Sequence, residues 1–152
     1  MTIDIDPDYA GEGIYRENIL DHYKNPKNHG ILEPADIKHK ELNPLCGDQI
    51  QVTINISTQE NGKAIFHSFI KEIKFIGRGC AISQSSMSML SEKVKGMSID
   101  AVKNLKKEDI VEMLSIPISP VRLKCALLGL DTVKNGIYIY EKYSKTKEGK
   151  ED

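Results

Sequence analysis

The chain reads as an α+β protein, and two features of its residue pattern say so. Apolar and polar residues alternate between Gln49 and Ile76, the period of strands with one buried face. After Gly77-Arg78-Gly79 the apolar spacing switches to the helical period. Strands first and helices afterwards is the α+β order, not the βαβ alternation of a parallel sheet.

The elements follow in order. Residues 1–13 are acidic, contain Gly11 and Gly13, and read as a flexible tail. Tyr15 to Lys24 reads as a helix with Ile14, Ile19, Leu20 and Tyr23 near one face, ended by Asn25-Pro26. Asn25 to Asn43 is rich in Pro, Gly, Asn and Lys and reads as a loop, with a short strand within Ile31 to Leu42. Gln49 to Ile56 sets Ile50, Val52, Ile54 and Ile56 against Gln51, Thr53 and Asn55, the signature of a half-buried strand. Asn61-Gly62 marks a hairpin-like turn. Phe66 to Ile76 alternates again in two pieces, with Ile73 and Phe75 on one face.

Ile82, Met89, Leu90 and Val94 make Ala81 to Lys95 a helix, and Gly96 stops it. Ser98 is a good N-cap for a short helix to Asn104, and Lys107 to Leu114 forms another. Ser119-Pro120 pairs an N-cap with a proline at the first helical position. The helix it opens runs to Tyr143 on a stripe of Leu123, Leu127, Leu130, Val133, Ile137 and Tyr140. Ser144 to Asp152 is a charged tail, so the expected organisation is one domain over residues 14–143.

Composition narrows the function classes. The chain has 152 residues, 39% of them hydrophobic and 6% aromatic with no Trp, so its core is lean and a bound metal would add noticeably to stability. With 21 basic and 22 acidic residues and no basic stripe, nothing points to nucleic acid. No apolar run approaches the roughly 20 residues of a membrane span. Met1 to Asp8 is acidic and lacks the apolar core of a signal peptide, so a cytosolic chain with reduced thiols is expected. An odd number of cysteines in that setting favours metal or thiol chemistry over a disulfide framework.

The three cysteines are Cys46, Cys80 and Cys125, each at a junction between elements. Cys46-Gly47-Asp48 places two donor side chains at i and i+2 around a glycine that permits a tight turn. The bland alternative is a loop cysteine beside a turn aspartate. Cys80 ends a strand and opens a helix, where N–H groups and the helix dipole favour a thiolate. Its alternative is a small buried hydrophobe. Cys125, in the second turn of the last helix, falls off the apolar stripe, as suits a ligand better than a core residue. Lys124 beside it adds positive charge but has no lone pair to offer a metal at neutral pH. Of the four histidines only His39, in the loop leading to Cys46, stands as a spare ligand. Three thiolates and the Asp48 carboxylate make the four donors of a tetrahedral zinc or iron site. The mixture of soft sulfur with one hard oxygen suits a site that releases what it holds. No P-loop, Gly-x-Ser-x-Gly elbow or zinc-deaminase pattern is present.

Four ordered segments together resemble the IscU/SufU family of iron–sulfur cluster assembly proteins: Tyr15 to Asn28, Asn43-Pro44-Leu45-Cys46-Gly47-Asp48, Phe75 to Ser83, and Val121-Arg122-Leu123-Lys124-Cys125-Ala126. The resemblance implies a small curved antiparallel sheet of about three strands, with helices on one face and a metal site at one end. It implies that Cys46, Asp48, Cys80 and Cys125 converge there. It further implies a pyridoxal-phosphate-dependent cysteine desulfurase as partner, a transient [2Fe–2S] cluster built from iron and persulfide sulfur, and delivery to apo-proteins.

The chain mixes features of two branches. Lys124 and Gly79-Cys80-Ala81-Ile82-Ser83 resemble the SufU branch, which holds Zn2+ and implies Cys46 as the sulfur acceptor. The short distance from Cys80 to Cys125 resembles the IscU branch, which implies Cys125. Ile116-Pro117-Ile118-Ser119-Pro120-Val121-Arg122 departs from the Leu-Pro-Pro-Val-Lys segment of IscU, so recognition by an Hsp70-type chaperone is not carried over. The resemblance thus implies a scaffold rather than a conventional enzyme. The alternatives are a zinc-dependent sulfurtransferase and a zinc-stapled binding module. A thiol enzyme ranks last, because no base stands beside any cysteine in the sequence.

Overall fold

The computed structural model describes residues 17–44, 47–61 and 65–151. Residues 1–16, which hold the expected tail, and residues 62–64, on which the expected Asn61-Gly62 turn falls, lie outside them, as does Cys46. A first helix, α1, covers residues 17–24. Three strands follow, β1 (Ile37–Asn43), β2 (Asp48–Asn61) and β3 (Ile65–Arg78), then α2 (Ala81–Val94), α3 (Ile99–Lys103), α4 (Lys107–Leu114) and α5 (Pro120–Glu151).

The strands form an antiparallel sheet in the order β1-β2-β3. Asn43 pairs with Asp48 at one end, and Gln49 pairs with Arg78 beside it. That end carries the candidate site. Ile50, Val52 and Ile54 of β2 are fully buried with Ile70, Ile73 and Phe75 of β3, and α2 and α5 cover them. The two-piece alternation of β3 has a physical cause. Asn55 pairs with Glu72 but Ile56 pairs with Ile70, so Lys71 is the extra residue of a bulge. The bulge lets Ile70 and Ile73 face the core together.

β1 is the short strand expected within Ile31 to Leu42, placed at the end of that stretch and running on to Asn43. Its seven residues, Ile37-Lys38-His39-Lys40-Glu41-Leu42-Asn43, are buried only at the ends. It is an edge strand, paired on one side alone, and charged side chains suit such an edge. His39 therefore sits in a strand, with Nε2 3.0 Å from Glu41 Oε2. It is not among the metal-capable residues.

The helix signals are met by contacts. Ser98 Oγ accepts from the Ala101 N–H at 3.1 Å, and Ser119 Oγ from the Arg122 N–H at 3.4 Å. Gly96, at φ +86°, turns the chain after α2. α5 continues to Glu151, past the expected end at Tyr143, through lysines and glutamates that favour helix.

α2 is buried almost all round, between α1, α5 and the sheet. Its serines make this possible by bonding to neighbours. Ser85 Oγ donates to Ile19 O at 2.6 Å and Ser86 Oγ to Ala126 O at 2.7 Å. Ser88 Oγ accepts from the Lys27 N–H at 2.8 Å and lies 2.7 Å from His22 Nδ1. Each buried hydroxyl is thus satisfied, the condition for burying it without a large desolvation cost.

The face of α5 differs from the expected stripe. Cys125, Ala126, Leu128, Leu130, Val133 and Ile137 are buried, whereas Leu123, Leu127 and Tyr140 are only partly so. The expected stripe counted large side chains. The real contact face is marked by small ones: a Cβ on Gly129 would stand 2.9 Å from Met87 Sδ. Cys125 belongs to this buried face, which corrects the expectation that it lies off the core.

Candidate metal site

Asp48 opens β2, Cys80 precedes α2 and Cys125 lies in the second turn of α5. The fold brings these three to the same end of the sheet. One donor atom from each lies within 4.8 Å of the others. Asp48 is 1% exposed and Cys125 3%, while Cys80 is partly exposed, so the group opens to solvent on the Cys80 side.

Asp48 divides its two oxygens. Oδ1 accepts the backbone N–H of Cys80 at 2.9 Å, and Oδ2 stands 3.8 Å from Cys80 Sγ. The carboxylate sits at the N-terminal end of α2, where unpaired N–H groups and the helix dipole favour negative charge. Gly79 makes the approach possible. It has φ +151°, and a Cβ there would overlap Asp48 Oδ1.

Cys125 Sγ lies 4.0 Å from Val121 O, one turn back in its helix. Lys124 is exposed while Cys125 is buried, because neighbours on a helix point apart. Two residues that the sequence did not single out support Cys80. Ser83 Oγ is 3.9 Å from Cys80 Sγ, and Gln84 Nε2 donates to Ser83 Oγ at 3.1 Å. The only signal for Ser83 was its place three residues after a helix-opening cysteine. Beside Gly79 a groove of about 450 Å³ is lined by Tyr23, His29, Arg78 and Gln84 among others.

Two thiols and a carboxylate, converging from a strand and two helices, match the donors of a soft metal centre and not of a magnesium or calcium site. The pattern of elements and donors has a counterpart among known proteins. The NifU-like N-terminal domain family matches residues 14–147. The chain belongs to that family. Among members of its IscU and SufU branches, the iron–sulfur cluster assembly enzyme IscU of Drosophila melanogaster is 36% identical over 131 residues, covering 84% of this chain and 79% of the relative. The zinc-dependent sulfurtransferase SufU of Bacillus subtilis is 30% identical over 141 residues, covering 82% and 89%. The fold of this IscU/SufU-type chain is shared with the N-terminal NifU-like protein of Brucella abortus, at a TM-score of 0.65 and 21% identity over 85% of this chain and 95% of that one.

Proposed function

We propose that this protein accepts persulfide sulfur from a pyridoxal-phosphate-dependent cysteine desulfurase, assembles a [2Fe–2S] cluster and passes it to apo-proteins. The observation that carries this reading is the convergence of Asp48, Cys80 and Cys125 within 4.8 Å. Likeness to relatives named as iron–sulfur cluster assembly proteins supports it. Cys46 completes the donor set in this reading, since only Gly47 separates it from Asp48 in the sequence. A tetrahedral metal with bonds of about 2.3 Å to sulfur sets its thiolates about 3.8 Å apart. A set already within 4.8 Å needs only small side-chain rotations to close on such an ion.

Each residue has a role. Cys80 at the N-cap of α2 and Cys125 in the second turn of α5 anchor the iron that the site takes as cargo. The acceptor thiolate, Cys46 or Cys125, attacks the terminal sulfur of the donor persulfide. A new S–S bond forms there, the donor cysteine leaves as a thiolate, and two electrons from an external thiol reductant then release the outer sulfur as sulfide for the cluster. Lys124, exposed beside Cys125, offers positive charge to that approaching anion. Asp48, a harder ligand than sulfur, keeps the assembled cluster exchangeable. One domain over residues 14–143 suffices for this work. A cytoplasmic location, where thiols stay reduced, is part of the reading. Among the described residues no helix is long and apolar enough to cross a membrane.

The likeness to SufU and the presence of Lys124 favour a second reading, a zinc-dependent sulfurtransferase with Cys46 as acceptor. Bound zinc would hold the thiols as thiolates and shield them from oxidation. Anaerobic incubation with a cysteine desulfurase, cysteine and ferrous iron separates the two. Iron and acid-labile sulfide bound in equal amounts and transferable to an apo-protein support the scaffold. Retained zinc with a faster desulfurase and no cluster supports the sulfurtransferase. Neither metal nor sulfide bound, with the desulfurase unaffected, refutes both.

A further inference from the structure

Ser83 occupies the first turn of α2 and is fully buried. Its Oγ lies between two atoms of Cys80. The carbonyl oxygen is 3.1 Å away and accepts its proton, and Sγ is 3.9 Å away. The carbonyl has a second donor, the backbone N–H of Gln84 at 3.2 Å. The Ser83 proton can therefore turn from oxygen to sulfur without orphaning a buried acceptor.

Gln84 limits where else that proton can point. Its Nε2 donates to Ser83 Oγ at 3.1 Å and so takes up one lone pair. Gln84 is itself held against Gly77, where a Cβ would stand 2.8 Å from Gln84 Oε1 and 2.5 Å from Gln49 O. The polarity of the Cys80–Ser83 contact must change on loading. A thiol donates to the hydroxyl, whereas a metal-bound thiolate has no proton and only accepts. A buried hydroxyl whose O–H can rotate between the two acceptors fits that reversal.

We propose that Ser83 is a positioning residue of the metal site: its hydroxyl, held by Gln84, donates to the Cys80 thiolate when the site is loaded. The inference rests on reading Asp48, Cys80 and Cys125 as the metal-holding set. Asp48 grips the Cys80 backbone N–H from β2, and Ser83 addresses its sulfur from α2, so Cys80 is braced from two sides. Partners of this kind orient metal ligands and tune their electron density, and removing one typically costs about 10–100-fold in affinity.

The test is metal binding by the full chain, with cobalt(II) and zinc as probes. Ser83→Ala is expected to bind zinc about tenfold or more weakly in chelator competition. It is also expected to shift the thiolate-to-cobalt charge-transfer band. Ser83→Thr, which keeps the hydroxyl, should retain both wild-type values. Gln84→Met, which removes the orienting amide, should shift the band the same way by less, and it carries the test if the threonine methyl does not fit the buried site. Thermal unfolding of the metal-free proteins controls for folding. If the cobalt spectrum of Ser83→Ala superimposes on wild type, the inference falls, even if affinity drops, because the change then lies in the fold. A wild-type protein that binds neither ion overturns the metal-site reading and this inference with it.

Discussion

The backbone N–H of Cys80 donates to Asp48 Oδ1 at 2.9 Å, while Cys80 Sγ stands 3.8 Å from Oδ2 of the same carboxylate. Asp48 therefore has one task in the fold and, in the proposed reading, a second toward the metal. They can be separated by mutation. Asp48→Ala leaves the Cys80 N–H without its partner and should cost about 1–3 kcal/mol of stability in the metal-free protein. The same variant loses the hardest of the proposed ligands and should keep a reconstituted cluster longer than wild type. Asp48→Asn retains an acceptor for the N–H and should recover much of the stability. Chemical denaturation reads the first effect, and decay of cluster absorbance reads the second. Faster cluster loss from Asp48→Ala would refute the lability argument.

Gly79 is a second point where fold and site meet. Its positive φ is strained for any side chain, and a Cβ would overlap Asp48 Oδ1. Gly79→Ala should destabilise the protein by about 1–3 kcal/mol. It should also weaken zinc binding, because relief of the overlap moves Asp48 away from Cys80. Gly47→Ala is the contrasting variant. Gly47 also has positive φ, at +70°, but among the described residues nothing beyond its chain neighbours lies within 4 Å of its would-be Cβ. It should lose stability without the overlap at Asp48. Equal zinc affinity for Gly79→Ala and wild type, from chelator competition, would show that Asp48 tolerates displacement.

What was legible in the sequence, and what was not, has physical causes. β2 announced itself because Ile50, Val52 and Ile54 face a core while their neighbours are more polar. β1 was legible only as a short strand somewhere within Ile31 to Leu42, because an edge strand that carries Lys38, Lys40 and Glu41 blurs into the loop before it. Thr53 misled in the same way. It is buried although it opposes the apolar face of β2, because its Oγ1 accepts the Leu32 N–H at 2.9 Å. Cys125 was assigned to the wrong side of α5 because Ala126 and Gly129, which mark the close contact, carry no apolar bulk. The meeting of Asp48, Cys80 and Cys125 was suggested by scarce residue types at element junctions. Ser83 was not, because α2 also buries Ser85, Ser86, Ser88 and Ser91, and only geometry tells a sulfur partner from a packing hydroxyl.

Those packing hydroxyls give a prediction about local stability. Ser88 Oγ holds both the Lys27 N–H and His22 Nδ1, and Asn28 Nδ2 reaches Ser91 Oγ at 3.0 Å. They tie α1 and the segment after it to α2. Ser88→Ala leaves two of those polar groups without their partner and should cost about 1–3 kcal/mol. The cost should be local. Hydrogen exchange should accelerate across residues 17–30 while β2 keeps its protection. Uniform acceleration over the whole chain would mean that α1 and its loop unfold only with the core.

Glu72 gives a prediction about pH. The Lys95 ammonium donates to its Oε1 at 2.8 Å and holds the carboxyl below its ordinary value of 4.5, against a smaller opposing effect of burial. The pair joins the bulge of β3 to the end of α2, where the Gly96 N–H also donates to Ile70 O at 2.8 Å. A carboxyl whose folded pKa is depressed adds stability above its unfolded pKa and loses it as pH falls through the folded value. Glu72→Gln should therefore be less stable than wild type at pH 7, and the difference should close as the pH drops below about 4. Both side chains are more than a third exposed, so solvent screening keeps the difference small, about 0.2–1 kcal/mol, and 1 M salt should shrink it further. Denaturant midpoints of the two proteins at pH 7 and pH 3.5, at low and high salt, check this. A difference that persists unchanged at pH 3.5 would mean that Glu72 acts by packing against Lys95 and not by its charge.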